Sequence, residues 1–442
     1  MTATALAPVT LRSLAPQRGM WATYLFVAWT TFTTIDPITI GPLPFKPFLL
    51  GLALVLWYPH RSAKRIPLAV PVAVVAIGVP VVWSMVATFY DHPYAGLEPS
   101  PAELTIEHAS RFVYLLIYFP LADTMLRGDG RRGLGLWVVP VLGLCALTWV
   151  LYILYHRLGV DIGATRVSAD ATAPSKLGPL AGIVEAPGEG LGRMFFSNQI
   201  LLVPAIGVLM GLALGAGGFA RRQRRWLLIA LLFAISTLYP IHTRGLTIGV
   251  LIVLVVIAAL SWRMGSGWPI VLVGLIAGLL FFTSIDPRAT AFLKGDRTDL
   301  SIQQRVQQAP QLLDAWKERP LLGSGLGATL PSGYVRSAAQ PFSFELTYHA
   351  ILFQNGIIGL ALILGVPLLA ALRAVRAMGR LPRDERALAA GGVGGISGLV
   401  VAGATNPYLI STFGMLALAV TLAVCARAVH VARIAGEQPL RG

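Results

Sequence analysis

The stretch LTIGVLIVLVVIAALSW, residues 246–262, contains no charged side chain and very few polar ones. An apolar run of about 20 residues has the length of a helix that crosses the hydrocarbon core of a bilayer. Comparable runs recur along the chain, for example WPIVLVGLIAGLLFF at 268–282. The repetition predicts an all-α polytopic membrane protein.

The overall composition agrees with a membrane protein. The chain has 442 residues, of which 55% are hydrophobic and only 12% are charged, whereas a soluble domain is about 25% charged. Its net charge of +15 would suggest nucleic acid in a soluble chain, but basic cytoplasmic loops explain it here. We therefore expect membrane lipids and no nucleic acid as partners. Cys145 and Cys425 both lie in apolar runs, so neither a disulfide nor a thiolate metal site is predicted.

Hydropathy predicts about twelve transmembrane helices in a single integral membrane domain, residues 1–442. The predicted spans are 20–38, 45–58, 67–89, 106–126, 133–156, 196–218, 226–242, 245–262, 268–285, 347–371, 388–404 and 409–427. Positive charge concentrates in the even-numbered short connections, which are 60–65, 127–132, 220–225, 263–267 and 373–386. By the positive-inside rule, both termini are cytoplasmic and the odd-numbered connections face outward.

Two of the outward-facing connections are long. Residues 157–195 are rich in Gly, Ala and Pro, which predicts an irregular or partly hairpin loop. Residues 286–346 form a larger outer loop, in which 301–320 has the pattern of a helix and is expected to lie on the membrane surface. LLGSGLGATLPSG (321–333) is predicted to be a flexible glycine turn. The small residues of 211–215 and 391–398 predict close packing between helices.

The stretch FSFELTYHAILFQNGIIG (342–359) carries Glu345 and His349 where the large outer loop meets a predicted span. Residues four apart share one face of a helix, so the two side chains are expected to be neighbours. Ionisable groups at the end of a span are costly and tend to mark function.

Four arginines are predicted at the same outer face: Arg111, Arg193, Arg244 and Arg305. Arg193 at a membrane interface can simply extend its charge to lipid headgroups, and Arg305 can be a solvated helix charge. Arg244 lies in a turn with almost no loop, where a guanidinium needs an anionic partner, and His242 is close by. Arginine binds phosphate with two parallel hydrogen bonds, so the set suits a phosphate-bearing lipid substrate.

Arg111 has a simpler alternative. It lies four residues after Glu107, so the two side chains can form an ion pair within one helix.

At this point the sequence resembles the O-antigen ligase and O-antigen polymerase superfamily. Four stretches between about 190 and 365 carry the likeness: LGRMFFSNQ (191–199), HTRGLTIG (242–249), RVQQAPQLLDAWKERPLLGSGLG (305–327) and YHAILFQNGIIGLALIL (348–364). Thr243 stands where the family has a serine, and Ala350 stands where it often has an asparagine.

The resemblance implies a glycosyltransferase in the bacterial inner membrane with a GT-C-like fold and an active site facing the periplasm. Such enzymes take a glycan from an undecaprenyl-diphosphate carrier. A ligase transfers it to a lipid A–core sugar, and a polymerase to a growing glycan. The reaction implied is metal-independent, needs no cofactor and inverts the anomeric centre.

The matched motifs also imply roles for single residues. His349 would be the general base for the acceptor hydroxyl, and Arg244 and Arg305 would stabilise the leaving diphosphate. A role for Glu345 in orienting the His349 ring, or tuning its pKa, is inferred from spacing and not from the family. The residues expected to bind substrate are Arg111, Arg193, Trp316 and His242.

Three alternatives remain open from the sequence. A polymerase of O-antigen, capsule or exopolysaccharide repeats would use the same chemistry as a ligase. A transporter of polysaccharide or lipid-linked sugar also fits twelve spans, although no clear internal repeat or mid-membrane charge supports it. A peptidoglycan-type polymerase would use an outer-loop carboxylate, and the candidates are Asp286, Asp296 and Asp299.

Overall fold

The architecture is a bundle of helices, with two small two-stranded sheets among the described residues. The computed structural model describes residues 18–32, 39–40, 43–60, 66–88, 101–127, 130–158, 182–185, 192–195, 197–215, 221–241, 243–262, 271–272, 274–276, 278–279, 300–334, 344–404 and 406–437. This confirms the predicted helical fold class.

The first half of the chain contributes eight α-helices and both sheets. The helices are α1 Arg18–Phe32, α2 Phe45–Trp57, α3 Ala69–Ala73, α4 Val79–Thr88, α5 Pro101–Val113, α6 Tyr118–Leu126, α7 Gly130–Leu158 and α8 Leu202–Leu214. A π-turn joins α3 to α4, and a 3₁₀ turn joins α5 to α6. The strands are β1 Thr39–Ile40, β2 Leu43–Pro44, β3 Gly182–Glu185 and β4 Gly192–Phe195, and each sheet is an antiparallel pair.

The second half contributes the remaining labelled helices. They are α9 Arg221–Ser236, α10 Leu238–Ile241, α11 Arg244–Trp262, α12 Leu300–Glu318, α13 Thr347–Ala377, α14 Arg383–Gly403 and α15 Thr412–Glu437. The described residues between 271 and 279 are also helical.

Seven helical segments among the described residues are long and apolar enough to cross a membrane. They are Ala69–Thr88, Trp137–Leu154, Arg222–Ile241, Arg244–Trp262, Thr347–Arg380, Arg383–Gly403 and Thr412–Glu437. Two shorter apolar helices are Phe45–Trp57 and Asn198–Leu214. Each of the twelve predicted spans contains described helix, but the count of twelve stays a prediction.

Glycines let α14 pack closely against α8 and α11, as the small-residue runs predicted. A Cβ on Gly391 would lie 2.3 Å from the carbonyl oxygen of Gly207 in α8. On the other side, a Cβ on Gly398 would lie 2.6 Å from the carbonyl oxygen of Gly249 in α11. The contacts pair the first turns of α11 with the C-terminal turns of α14, so these two helices are antiparallel.

Two networks of charged side chains hold helices together at the end of the bundle where α14 begins. Arg427 of α15 donates to both carboxylate oxygens of Glu385, at 2.9 and 2.6 Å, and to the carbonyl oxygen of Met125. The buried carboxylate of Asp123 accepts hydrogen bonds from Arg127 and from the indole of Trp57. Bidentate arginine contacts of this kind have defined geometry, so α2, α6, α14 and α15 are tied together here.

The two long connections are described in part. Within 157–195, β3 pairs with β4 from Gly182↔Phe195 to Glu185↔Gly192, which confirms a partial hairpin. Within 286–346, α12 confirms the helix predicted at 301–320 and contains Pro310 in its interior. Asp286, Asp296 and Asp299 lie outside the described residues.

Candidate active site

The site is organised around the first turn of α13, where the polar outer loop becomes an apolar helix. α13 begins at Thr347, and Leu346 precedes it with non-helical backbone angles. The hydroxyl of Thr347 donates to the carbonyl oxygen of Asn406 at 2.6 Å, and the hydroxyl of Tyr348 donates to the carbonyl oxygen of Val400. The start of α13 is thereby fixed to the C-terminal end of α14.

Helix α12 lies against this start and covers it with one face. Gln308, Leu312 and Ala315 are buried and follow the i, i+4, i+7 spacing of a helix face. Leu312 and Ala315 form a small core with residues of α13 and of the turn after α12. Val306 is 64% exposed, because it lies on the opposite face of the helix.

Arg305 and Glu345 form an ion pair that joins α12 to the start of α13. Arg305 Nε lies 2.8 Å from Glu345 Oε2. The carboxylate side chain is only 7% exposed and the guanidinium side chain 24%, so the contact offsets part of the cost of removing two charges from water. The N–H is not aligned on the oxygen as a hydrogen bond requires, which makes the contact an electrostatic one.

This pair corrects the expected relation between Glu345 and His349. Glu345 precedes the first residue of α13, so the two side chains do not share a helix face. The described structure contains neither a hydrogen bond nor an ion pair between them. Arg305, 40 positions earlier in the sequence, takes the carboxylate instead.

His349 lies in the first turn of α13 and is partly exposed. The structure gives its imidazole no hydrogen bond to another described residue. An imidazole left accessible in this way can accept a proton from a bound hydroxyl group.

Arg244 is the first residue of α11 and is partly buried. The first turns of α11 pack on the C-terminal turns of α14, as the contact of Gly249 with Gly398 shows. The first turn of α13 is fixed to the same end of α14. Arg244 and His349 therefore lie at one end of the bundle, as the sequence predicted.

Residues 325–330 of the turn after α12 are buried, and the turn is hydrogen-bonded to α13, which corrects its interpretation as flexible. The backbone N–H groups of Ser324 and Gly325 donate to the carbonyl oxygens of Phe353 and Gln354 in α13, both at 2.8 Å. In return, the N–H groups of Ile357 and Ile358 donate to Pro320 and Leu321. These are the four groups that would pair with each other in an unbroken helix.

The exchange of partners happens because α13 is interrupted at Gly356. This glycine has φ +63° and ψ −170°, a combination that is essentially restricted to glycine. A Cβ there would lie 2.2 Å from the carbonyl oxygen of Leu321. The indole N–H of Trp83 completes the joint by donating to the carbonyl oxygens of Leu322 and Asn355, at 2.7 and 2.9 Å.

The residues predicted to bind substrate have different outcomes. Arg111 pairs with Glu107 at 3.0 Å, which confirms that alternative. Trp316 donates its indole N–H to the carbonyl oxygen of Pro320 at 3.1 Å, and so closes the end of α12. The backbone of Arg193 is in β4, which lies beside α10, but its side chain is not described. His242 lies outside the described residues.

Sequence reasoning missed two polar residues at this end of the bundle. Gln308 accepts hydrogen bonds from the backbone N–H groups of Glu345 and Leu346, at 3.0 and 3.3 Å. Lys46 is 5% exposed and places its ammonium 5.4 Å from the ring centre of Phe413. The helical spacing of Arg305 and Gln308 was a usable signal for the first, whereas nothing near Lys46 pointed to the second.

No group of three or more His, Cys, Asp or Glu side chains that could hold a metal ion is found in the part of the chain that the structure describes. The metal-free reaction implied by the resemblance stays a prediction.

Comparison with known proteins identifies the region that contains this site. Residues 229–364 match the family described as O-antigen ligase. In this region the chain is similar to an O-antigen ligase domain. The match confirms the resemblance to the ligase and polymerase superfamily. No curated protein matches the chain.

The matched region spans the second half of α9 to the middle of α13. It includes Arg244, Arg305, Glu345 and His349, together with the glycine turn and its partner Gly356. Arg111 and Arg193 lie outside it, and so does the stretch at 191–199 that the resemblance included. Members of this family act on lipid-linked glycans and glycan acceptors, and the seven apolar helices agree with a multi-pass membrane protein of polysaccharide biosynthesis.

Proposed function

We propose that this protein is an integral-membrane glycosyltransferase that moves a glycan from undecaprenyl diphosphate to an acceptor sugar, in the manner of an O-antigen ligase. The observation that carries the proposal is the position of His349 and the Arg305–Glu345 pair on adjoining elements inside the ligase domain. An accessible imidazole and a fixed guanidinium are the two groups that this transfer needs.

The proposed reaction is a single displacement at the anomeric carbon of the donor sugar. The acceptor oxygen forms a bond to C1 while the bond from C1 to the diphosphate oxygen breaks. His349 takes the hydroxyl proton, and the bonding electrons leave with the diphosphate. Attack on the face opposite the leaving group inverts the anomeric centre, and no metal ion or cofactor takes part.

Arg244 and Arg305 are proposed to stabilise the charge that develops on the leaving diphosphate. Positive groups held in place before the reaction stabilise such charge without reorganising during it. Glu345 serves this arrangement as the counter-charge of Arg305. Arg111, Arg193, Trp316 and His242 remain proposed contacts of the bound substrate.

The proposed topology has twelve spans with both termini in the cytoplasm of a bacterium and the site facing the periplasm. The basic connections around 220–225 and 373–386 lie at the ends of helices opposite to the site, at the start of α9 and between α13 and α14. The positive-inside rule assigns that end to the cytoplasm.

The test uses purified protein in nanodiscs without added metal, an undecaprenyl-diphosphate oligosaccharide, and a lipid A–core acceptor that is present or absent. We expect glycan on the core only when the acceptor is present. His349→Ala and Arg244→Ala should each lower the rate about 100-fold or more, the usual range for a catalytic acid–base group or charge-stabilising donor. The control is Arg433→Ala, which removes an exposed arginine at the other end of the bundle.

Other outcomes assign other functions. Glycan ladders formed from donor alone would identify a polymerase with the same site. No transfer from any native donor, with both variants behaving like the unchanged protein, would rule out the enzyme and favour the transporter.

A further inference from the structure

Gln308 lies where α12 contacts the start of α13, and these two helices carry Arg305 and His349. Its side chain is 1% exposed, and it lies three residues after Arg305 on α12, close to the same face. Its carbonyl oxygen accepts the N–H group of Leu346, which a helix start leaves without an intrahelical partner, and the N–H group of Glu345 just before it.

The direction of the Gln308 amide is fixed by these two contacts. Rotating the amide by 180° would place its NH₂ group against two N–H donors, so only the observed orientation is compatible. The NH₂ group is buried and has no hydrogen-bond partner among the described residues. A buried amide donor without a partner lowers stability, so an apolar side chain in this core would avoid a cost that the glutamine carries.

We propose that Gln308 is a positioning residue of the active site, one that sets the distance between Arg305 and the helix turn that carries His349. This inference rests on the function proposed above. Gln308 reaches the same two-residue segment, Glu345–Leu346, to which Arg305 is paired. One side chain therefore fixes where α12 meets the start of α13, four residues before the imidazole.

The first test is Gln308→Leu, which keeps a buried side chain of similar size and removes the acceptor. We expect kcat to fall about 10- to 100-fold, the loss that misplacing a group by about 1 Å can cause. The KM for the lipid-linked donor should stay within about threefold, since the lost geometry matters most in the transition state. Gln307→Leu makes the same change at an exposed neighbour and should leave kcat unchanged.

A double-mutant cycle separates positioning from a general loss of structure. In an Arg305→Lys background, Gln308→Leu should lower kcat at most about threefold, because the contact that it positions is already altered. Equal losses in both backgrounds would overturn the proposal, and so would native kcat in Gln308→Leu. If the Leu variant does not fold, Gln308→Asn replaces it, since its shorter amide stays polar but cannot reach both N–H groups.

The failure of this inference differs from the failure of the proposed function. If the unchanged protein transfers no glycan, the proposed function is wrong. If it transfers glycan and Gln308→Leu matches it in kcat, only the positioning role is wrong.

Discussion

The carboxylate of Glu345 lies in contact with Arg305 in the structure. The sequence predicts His349 as its ionisable neighbour instead, but the observed contact leads us to propose that Glu345 acts on the guanidinium and not on His349. Glu345→Gln keeps the shape and removes the charge. We expect kcat to fall about 10-fold, and the free energy of unfolding to fall by roughly 1–3 kcal/mol, less than for a fully buried pair because Arg305 is partly exposed.

The dependence of kcat/KM on pH distinguishes the two roles of Glu345. A carboxylate that acts on Arg305 leaves the titration of His349 where it is in the unchanged enzyme. Asp314→Asn is the control, because Asp314 forms an exposed ion pair with Lys317 on the same helix and should leave both rate and stability unchanged. A displaced pH profile in Glu345→Gln, with stability intact, would restore the role predicted from spacing.

The residue scale also shows what a sequence can and cannot predict here. Charged residues in an apolar chain are conspicuous, so Arg244, Arg305, Glu345 and His349 could all be selected from the sequence. Their pairing could not, because α-helical spacing gives neighbours only within one helix. The contact of Glu345 with Arg305 depends on how α12 folds back over the start of α13, which no local pattern encodes.

At the scale of elements, the break in α13 and the glycine turn form one unit. The turn supplies the hydrogen bonds that the interrupted helix loses, and backbone groups at membrane depth must find partners within the protein. Gly356→Ala introduces a Cβ at 2.2 Å from Leu321 O and at a backbone conformation that disfavours it. We expect the variant to lose roughly 2–4 kcal/mol of stability, from strain and lost hydrogen bonds, and most of its transfer activity.

Gly365→Ala is the matched control in the same helix. A Cβ at Gly365 meets nothing within 4 Å, so alanine should be neutral or slightly stabilising through its higher helix propensity. Thermal unfolding in detergent compares the two variants directly. Equal melting temperatures would show that the break at Gly356 is not required for the fold.

The break in α13 shows why hydropathy predicts the helices but not the contact between the glycine turn and Gly356. A run of apolar residues predicts a span whether or not it is continuous, so 347–371 was predicted as one helix. The glycines at 323, 325 and 356 are visible in the sequence, but GSGLG and NGIIG are about 30 positions apart. Their contact requires a positive φ at each of the three glycines and a tryptophan from α4. Both depend on the tertiary structure, which local sequence patterns do not predict.

In the part of the chain that the structure describes, the basic segments 221–225 and 373–386 lie at the end of the bundle opposite to the candidate active site, and we expect this polarity to set the orientation in the membrane. We expect Lys317→Cys, on the exposed face of α12, to react with an impermeant maleimide added outside spheroplasts. Arg380→Cys, exposed after α13, should react only after the membrane is permeabilised. The native Cys145 and Cys425 are both buried, so the unchanged protein provides a low background.

The expected pattern follows from charge alone, because translocating a cluster of arginines across the membrane is disfavoured whereas the loop that contains α12 has mixed charge. It also follows from the chemistry, because an acceptor sugar on the outer surface can reach His349 only if α12 and the start of α13 face outward. The two arguments are independent, so a single labelling experiment tests both. Labelling of Arg380→Cys from outside, with Lys317→Cys protected, would show that the orientation is the opposite one. The proposed reaction could then not use an acceptor in the periplasm.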